Sequence, residues 1–169
     1  MTFPAQSVRF IDKSASLQSF CGQIMSRVNK RKESTEITVD TEFVRRTTYF
    51  PELALIQVGT KTHAAVIDVT ALTREDLQPL WTIFLCPKIL KIFHSARQDY
   101  EALYHAFGIL PSPLFDTQIA AAMMGYGASV GYEALVKSVL GGSLDKKCQT
   151  SPCLKGPFLR SKSFMRLTM

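Results

Sequence analysis

Asp40 and Glu42 stand two positions apart in residues 37–43, a run rich in β-branched side chains that is typical of a β-strand. Side chains two apart on a strand project from the same face of a sheet. Mg²⁺ and Mn²⁺ prefer oxygen ligands, and two such ions can stabilise the attacking and leaving oxygens of a phosphodiester. A solvent-facing acidic pair has the same spacing, but the apolar neighbours on this strand favour the ligand role.

Asp99 is the third candidate ligand. It follows a predicted strand, residues 89–93, and lies in the first turn of a predicted helix, residues 96–107. Sites in α/β folds gather where strands end and helices begin. An Asp in the first turn also interacts favourably with the helix dipole, so its position alone leaves both roles open.

The hydrophobic pattern predicts an α/β domain with a mixed sheet flanked by helices. Apolar residues at helical spacing predict an opening helix over residues 16–28. Three strands then form an antiparallel meander, and helices and strands alternate in the second half. The remaining predicted elements are strands 37–43, 53–58, 64–69, 89–93 and one that begins at 114, and helices 73–85, 96–107, one capped by Asp116, and 132–140 ending at Gly141.

Composition indicates one folded domain. The chain has 169 residues, of which 46% are hydrophobic and 20% charged. Its four cysteines form no C-x-x-C pair, and no apolar run approaches the ~18 residues of a membrane span. We therefore expect a reduced, cytoplasmic protein that is neither exported nor inserted in a membrane.

The net charge of +6 comes from the end of the chain. Residues 146–169 contain six basic residues and no acidic one, so the rest of the chain is balanced. Residues 148–169 also lose the helical and strand periodicities. They are interpreted as a disordered basic tail that follows a domain of residues 1–147, and not as a nucleic-acid footprint by themselves.

Four segments in order resemble the ribonuclease D-like family of DEDD-type 3′–5′ exonucleases. Residues 39–45 (VDTEFVR) and 49–57 (YFPELALIQ) are similar to the first exonuclease motif and the strand after it. Residues 93–99 (FHSARQD) resemble the second motif, and residues 110–118 (LPSPLFDTQ) the segment that follows. Together the likeness covers roughly residues 35 to 147, and four ordered segments are far more specific than one.

The resemblance implies a ribonuclease H-like fold with a mixed five-stranded sheet whose first three strands are antiparallel. It implies hydrolysis of single nucleotides from RNA 3′ ends, with precursor tRNA as the expected substrate and two divalent ions, Mg²⁺ or Mn²⁺, as cofactors. No obligate protein partner is indicated.

Site roles are also implied by the resemblance. Asp40 and Glu42 would bind one metal, with Asp40 bridging to a second that Asp99 serves. Phe43 and Gln57 would lie near the terminal nucleotide, where Phe43 could stack on a base; a plain core phenylalanine is the alternative. In this family His94 has no catalytic role, so it is interpreted as a structural hydrogen-bonding residue, although imidazole suits proton transfer near neutrality.

The chain departs from the family at its last motif, Tyr-x-x-x-Asp, whose Asp completes the metal site. None of the five tyrosines has an acidic residue four positions on. We expect that the last helix is missing and hypothesise that the tail is translated from a shifted reading frame, which predicts weak or absent activity. A non-catalytic nucleic-acid-binding remnant is the alternative, and a small α/β domain with an unrelated role is a third.

Overall fold

The computed structural model describes residues 7–30, 35–44 and 52–141, which form a six-stranded sheet and five helices. The sheet order is β1-β4-β3-β2-β5-β6. In chain order the elements are β1 (Ser7–Ile11), α1 (Ser14–Lys30), β2 (Thr35–Val44), β3 (Glu52–Gly59), β4 (His63–Asp68), α2 (Gln78–Leu85), β5 (Ile89–Phe93), α3 (Arg97–Phe107), β6 (Leu114–Asp116), α4 (Thr117–Met123) and α5 (Tyr132–Leu140).

The expected α/β class and the antiparallel meander are confirmed. Strands β2, β3 and β4 pair antiparallel in sequence order, while β1, β5 and β6 join in parallel. The turn between β3 and β4 is closed by the backbone N–H of Thr60, which donates to the carbonyl of His63 at 2.8 Å. The parallel strands β1 and β5 therefore flank the meander on its two sides.

The sheet has six strands where the sequence predicts five. The additional strand is β1, which pairs in parallel with β4 from Ser7 to Ile11. It lies at the sheet edge, and its side chains Val8 and Phe10 remain 41% and 40% exposed. A five-residue edge strand with half-exposed apolar residues has little periodicity, and its pairing with a distant segment is a tertiary event.

Helix α1 buries the five residues whose spacing predicts it. Leu17, Phe20, Cys21, Ile24 and Val28 all lie in the main core. Burial raises the pKa of the Cys21 thiol to about 12, so this side chain behaves as a small hydrophobe. The helix packs against α2, and both contribute to the core on one face of the sheet.

Helix α2 begins later than the pattern predicts, at Gln78 instead of residue 73. Thr73 and Asp76 close a separate turn, in which each backbone N–H donates to the other's side-chain oxygen. Pro79 then occupies the first turn of α2, where its missing N–H costs nothing. Reciprocal capping of the turn therefore takes the place of a continuous helix.

Helix α4 begins where the sequence predicts, and helix α5 both begins and ends where it predicts. Asp116 is the N-cap of α4, and its side chain accepts from the backbone N–H of Gln118. Helix α5 ends at Gly141, which has a φ of 66°, a left-handed conformation that glycine adopts without strain. The predicted loss of a final helix and the predicted disordered tail lie outside the described residues. In the described part of the chain, no helix is long and apolar enough to cross a membrane.

Adjacent residues of α2 provide a test of the core. Phe84 is fully buried, whereas Leu85 is 53% exposed. We expect Phe84→Ala to lower the free energy of unfolding by about 3–5 kcal/mol, because it removes buried contacts and leaves a cavity. Leu85→Ala should change it by less than about 0.5 kcal/mol. Urea unfolding followed by circular dichroism measures both, and equal losses would contradict the assigned orientation of α2.

Candidate active site beside strand β2

Strand β2 has one edge that is only half paired. It pairs with β3 from Thr38 to Val44, but its pairing with β5 ends at Thr38. Strand β5 stops at Phe93, and the chain then turns into helix α3. Residues 39–44 of β2 therefore face the loop after β5 and the first turn of α3, and not another strand.

A cavity of about 230 Å³ lies at this edge. Four of its lining residues come from β2, and four come from the loop after β5 and the first turn of α3. All three predicted carboxylates are among them. The lining residues are Asp40, Thr41, Glu42, Phe43, His94, Ser95, Gln98 and Asp99.

Asp99 is 7% exposed and is held by Thr41. Its Oδ1 accepts from the Thr41 backbone N–H at 3.0 Å and from the Thr41 hydroxyl at 2.5 Å. A buried carboxylate is costly unless hydrogen bonds replace its water, and charge-assisted bonds of this kind are among the stronger ones. The Thr41 N–H at the β2 edge, beyond the pairing with β5, thus helps to fix the position of Asp99.

Asp40 and Glu42 are half-buried, and strand alternation sets both on one face of β2. Val39, on the opposite face, belongs to the main core. The register with β3 shifts between Glu42 and Phe43, which is a β-bulge. Bulges bend and twist a strand and can redirect a side chain. Phe43 follows the bulge, lines the cavity and also packs against the main core.

Gln57 lies directly opposite Asp40 in the β2–β3 register. Its side chain is 3% exposed, and it is not among the residues that line the cavity. The structure therefore brings Phe43, but not Gln57, to the cavity wall. The contact of Gln57 with a nucleotide stays a prediction.

His94 contacts groups on two other segments. Its Nδ1 lies 2.9 Å from the Thr117 hydroxyl, and its Nε2 lies 3.1 Å from the carbonyl of Val130. Its ring also meets that of Tyr132 edge to face, with centroids 5.4 Å apart. These contacts agree with a structural His that joins the cavity loop to the α4–α5 region.

The donor chemistry of the cavity fits hard divalent cations, because Asp40, Glu42 and Asp99 all offer carboxylate oxygens. Among the described residues, however, no three acidic, His or Cys side chains are grouped closely enough to hold one ion together. Oδ1 of Asp99 already accepts two hydrogen bonds from Thr41.

Three further residues line the cavity but were not predicted from the sequence: Thr41, Ser95 and Gln98. The signal for Thr41 was available, since it is a polar residue between the two acids on a strand whose other alternate positions are apolar. Ser95 has a φ of 64°, which non-glycine residues rarely adopt and which sequence does not reveal. Gln98 precedes Asp99 and carries no separate signal.

A family model described as 3′–5′ exonuclease matches residues 8–161 of the chain. Ribonuclease D of Acidiphilium cryptum is 47% identical over 126 residues, which cover 75% of this chain and 32% of that protein. Several curated relatives are likewise matched over about a third of their length.

Solved structures agree in fold. The crystal structure of Escherichia coli RNase D, described as an exoribonuclease involved in structured RNA processing, aligns with a TM-score of 0.74 at 36% identity, covering 86% of this chain and 36% of that one. Trypanosoma brucei RNase D, crystallised with RNA U12, aligns with a TM-score of 0.70 at 21% identity, covering 82% of this chain and 48% of that one. The expected ribonuclease H-like fold is confirmed, with six strands in place of five.

Two threonines with the same geometry test the Asp99 contact. Thr41 donates its N–H and hydroxyl to buried Asp99, and Thr70 donates the same pair of groups to half-buried Asp68 in solvent-exposed bonds. We expect Thr41→Val to lower the free energy of unfolding by about 1.5–3 kcal/mol, because a buried carboxylate loses a donor. Thr70→Val should cost less than about 1 kcal/mol, since water replaces its bond. Equal costs in urea unfolding would show that Asp99 does not depend on Thr41.

Proposed function

Because the chain belongs to the family of 3′–5′ exonucleases that includes the bacterial ribonucleases D, we propose that its function is the hydrolysis of phosphodiester bonds, one nucleotide at a time, from RNA 3′ ends. The observation that carries the proposal is the cavity beside β2, whose wall contains Asp40, Glu42 and Asp99. Three carboxylates from two elements, β2 and the first turn of α3, line this one cavity.

In this proposal Asp40 and Glu42 hold one divalent cation and Asp99, with Asp40, a second, and the ions are Mg²⁺ or Mn²⁺. Bound ions of this kind polarise the scissile phosphate and lower the pKa of a bound water. The protein contributes the fixed position of its ligands: β2 holds Asp40 and Glu42 on one face, and Thr41 holds Asp99.

Phe43 is proposed to stack on the terminal base, since its ring reaches the cavity and any base offers a π-face. Gln57 is proposed to act near the same nucleotide through its position opposite Asp40. The choice of RNA is supported by the Trypanosoma brucei ribonuclease D, which shares this fold and is described in complex with RNA. Precursor tRNA is the proposed physiological substrate, and the cytoplasm is the proposed location.

A second candidate function is binding of an RNA 3′ end without cleavage. It is favoured by one observation: none of the five tyrosines is followed four positions later by an acidic residue. Residues 1–169 would then lack the Asp of the Tyr-x-x-x-Asp motif, which completes the metal site in the family. We propose residues 1–147 as the exonuclease domain and residues 148–169 as a basic tail, although the family match extends beyond residue 147.

Metal binding tests the ligand assignment without requiring turnover. We expect the purified chain to bind Mn²⁺ in calorimetric titration, and Asp40→Asn to weaken that binding by at least about 10–100-fold. Asp68→Asn is the matched control, because it removes the same charge from another strand of the sheet, away from the cavity. Equal weakening by both substitutions would point to a general charge effect and contradict the assigned ligands.

A paired product and binding assay distinguishes the two functions. A 5′-labelled RNA with a single-stranded 3′ end is incubated with the chain and Mn²⁺, beside a gel shift in Ca²⁺. We expect binding together with slow, metal-dependent release of single nucleotides that Asp40→Asn abolishes, because a site with fewer ligands retains only part of its catalysis. Binding without any product would favour the non-catalytic function. Neither binding nor product would contradict both.

A further inference from the structure

The junction between β6 and α4 contacts the loop that carries the cavity residues. The side chains of Asp116 and Thr117 make hydrogen bonds to the β5–α3 loop. The side chain of Gln118 donates to the carbonyl of Val130, which His94 of that loop also contacts. We propose that Asp116, assisted by Thr117, is a positioning residue that fixes the first turn of α3, and with it Asp99, relative to β2. The importance of Asp99 rests on the proposed function; the positioning itself does not.

The Asp116 carboxylate accepts hydrogen bonds from backbone N–H groups of two different segments. Its Oδ2 accepts from Ala96 at 2.8 Å, and its Oδ1 accepts from Ser95 at 3.0 Å and from Gln118 at 2.8 Å. Ala96 is the N-cap residue of α3 and has no side-chain acceptor of its own. Asp116 therefore accepts from the N–H of the N-cap residue of α3, one of the backbone donors at a helix start that have no partner within the helix, while it also caps α4.

The environment of Asp116 keeps this acceptor ionised. Burial acts to raise the pKa of Asp116, but the backbone N–H groups of Ala96, Ser95, Gln118 and Ile119 together outweigh it and hold the pKa below its ordinary value. A carboxylate at the N-terminal end of α3 also interacts favourably with the positive end of the helix dipole. The same contacts hold Ser95 at its φ of 64°.

Thr117 contacts the other side of the loop. Its hydroxyl donates to the carbonyl of Phe93 at 3.0 Å and lies 2.9 Å from His94 Nδ1. Gln118 Nε2 donates to the carbonyl of Val130, which His94 Nε2 also approaches. Thr117 therefore contacts the chain at Phe93 and His94, while Asp116 contacts it at Ser95 and Ala96.

Sheet pairing places this junction beside the loop. In the parallel register of β5 and β6, Phe93 stands directly opposite Asp116. The loop begins one residue after Phe93, and Asp99 follows in the first turn of α3. Any shift of that turn changes the distance from Asp99 to Thr41, which lies on β2, on the far side of β5 from Asp116.

Asp116→Asn is the substitution that tests this. The Asn side chain keeps the shape, but its amide nitrogen cannot accept, so at least one of the three N–H bonds is lost. Asp76→Asn is the matched control, because Asp76 also accepts hydrogen bonds at a turn and carries the same charge, away from the cavity.

The readout is hydrogen exchange at the Thr41 amide, which reports the Asp99 contact from another element. We expect Asp116→Asn to speed this exchange roughly tenfold more than it speeds exchange at the β3 amides, and to weaken Mn²⁺ binding about 10–100-fold. Asp76→Asn should do neither. If the Thr41 and β3 amides change equally, Asp116 only stabilises the fold and the proposal is wrong.

Thr117→Val keeps the proposal testable if Asp116→Asn fails to fold. It removes the hydroxyl that donates to Phe93, and we expect the same selective change at Thr41, smaller in size; Thr117→Ser should restore most of the protection. An unchanged Thr41 amide in Thr117→Val would overturn the proposal. If the wild-type chain binds no Mn²⁺, the metal assignment fails, while the exchange data still decide the positioning.

Discussion

The organisation of this domain depends on a difference in length between two strand pairings. Strand β2 continues with β3 to Val44, whereas its pairing with β5 stops at Thr38. The mismatch leaves backbone groups of β2 directed to the start of α3 and not to a strand. Buried backbone N–H groups need hydrogen-bond acceptors. At this edge of β2 the acceptor is the Asp99 side chain, to which the Thr41 N–H donates.

The contacts between Thr41 and Asp99 stabilise the fold and also fix the position of a proposed metal ligand. The buried carboxylate of Asp99, in the first turn of α3, would destabilise the fold without partners, and Thr41 supplies two hydrogen bonds. The loop that delivers Asp99 is in turn held by Asp116 and Thr117, which lie on the neighbouring strand and helix. The cavity wall thus combines side chains that the register of β2 places with side chains from the β5–α3 loop and the first turn of α3.

Most of the elements could be predicted because their signals are local. The apolar spacing of α1, the alternation in β2, and the stop at Gly141 each arise from a few consecutive residues, and periodicity or turn chemistry records them. Strand β1 was not predicted because it forms only by pairing with β4, which is distant in sequence. The start of α2 was misplaced because the Thr73–Asp76 turn and the following Pro79 compete with a continuous helix.

For the site, the sequence by itself determined the candidate ligands: the spacing of Asp40 and Glu42 and the order of the motifs sufficed to single out three carboxylates. Tertiary structure alone decided that all three reach one cavity and that Thr41 holds Asp99. It also decided that Gln57 is buried opposite Asp40 without lining the cavity, and that Asp116, the N-cap of α4, also accepts from the N–H of Ala96 at the start of α3. The physical reason is that residue type and local spacing determine which face a side chain occupies. The partner that it meets there depends on the register of strands that are distant in sequence.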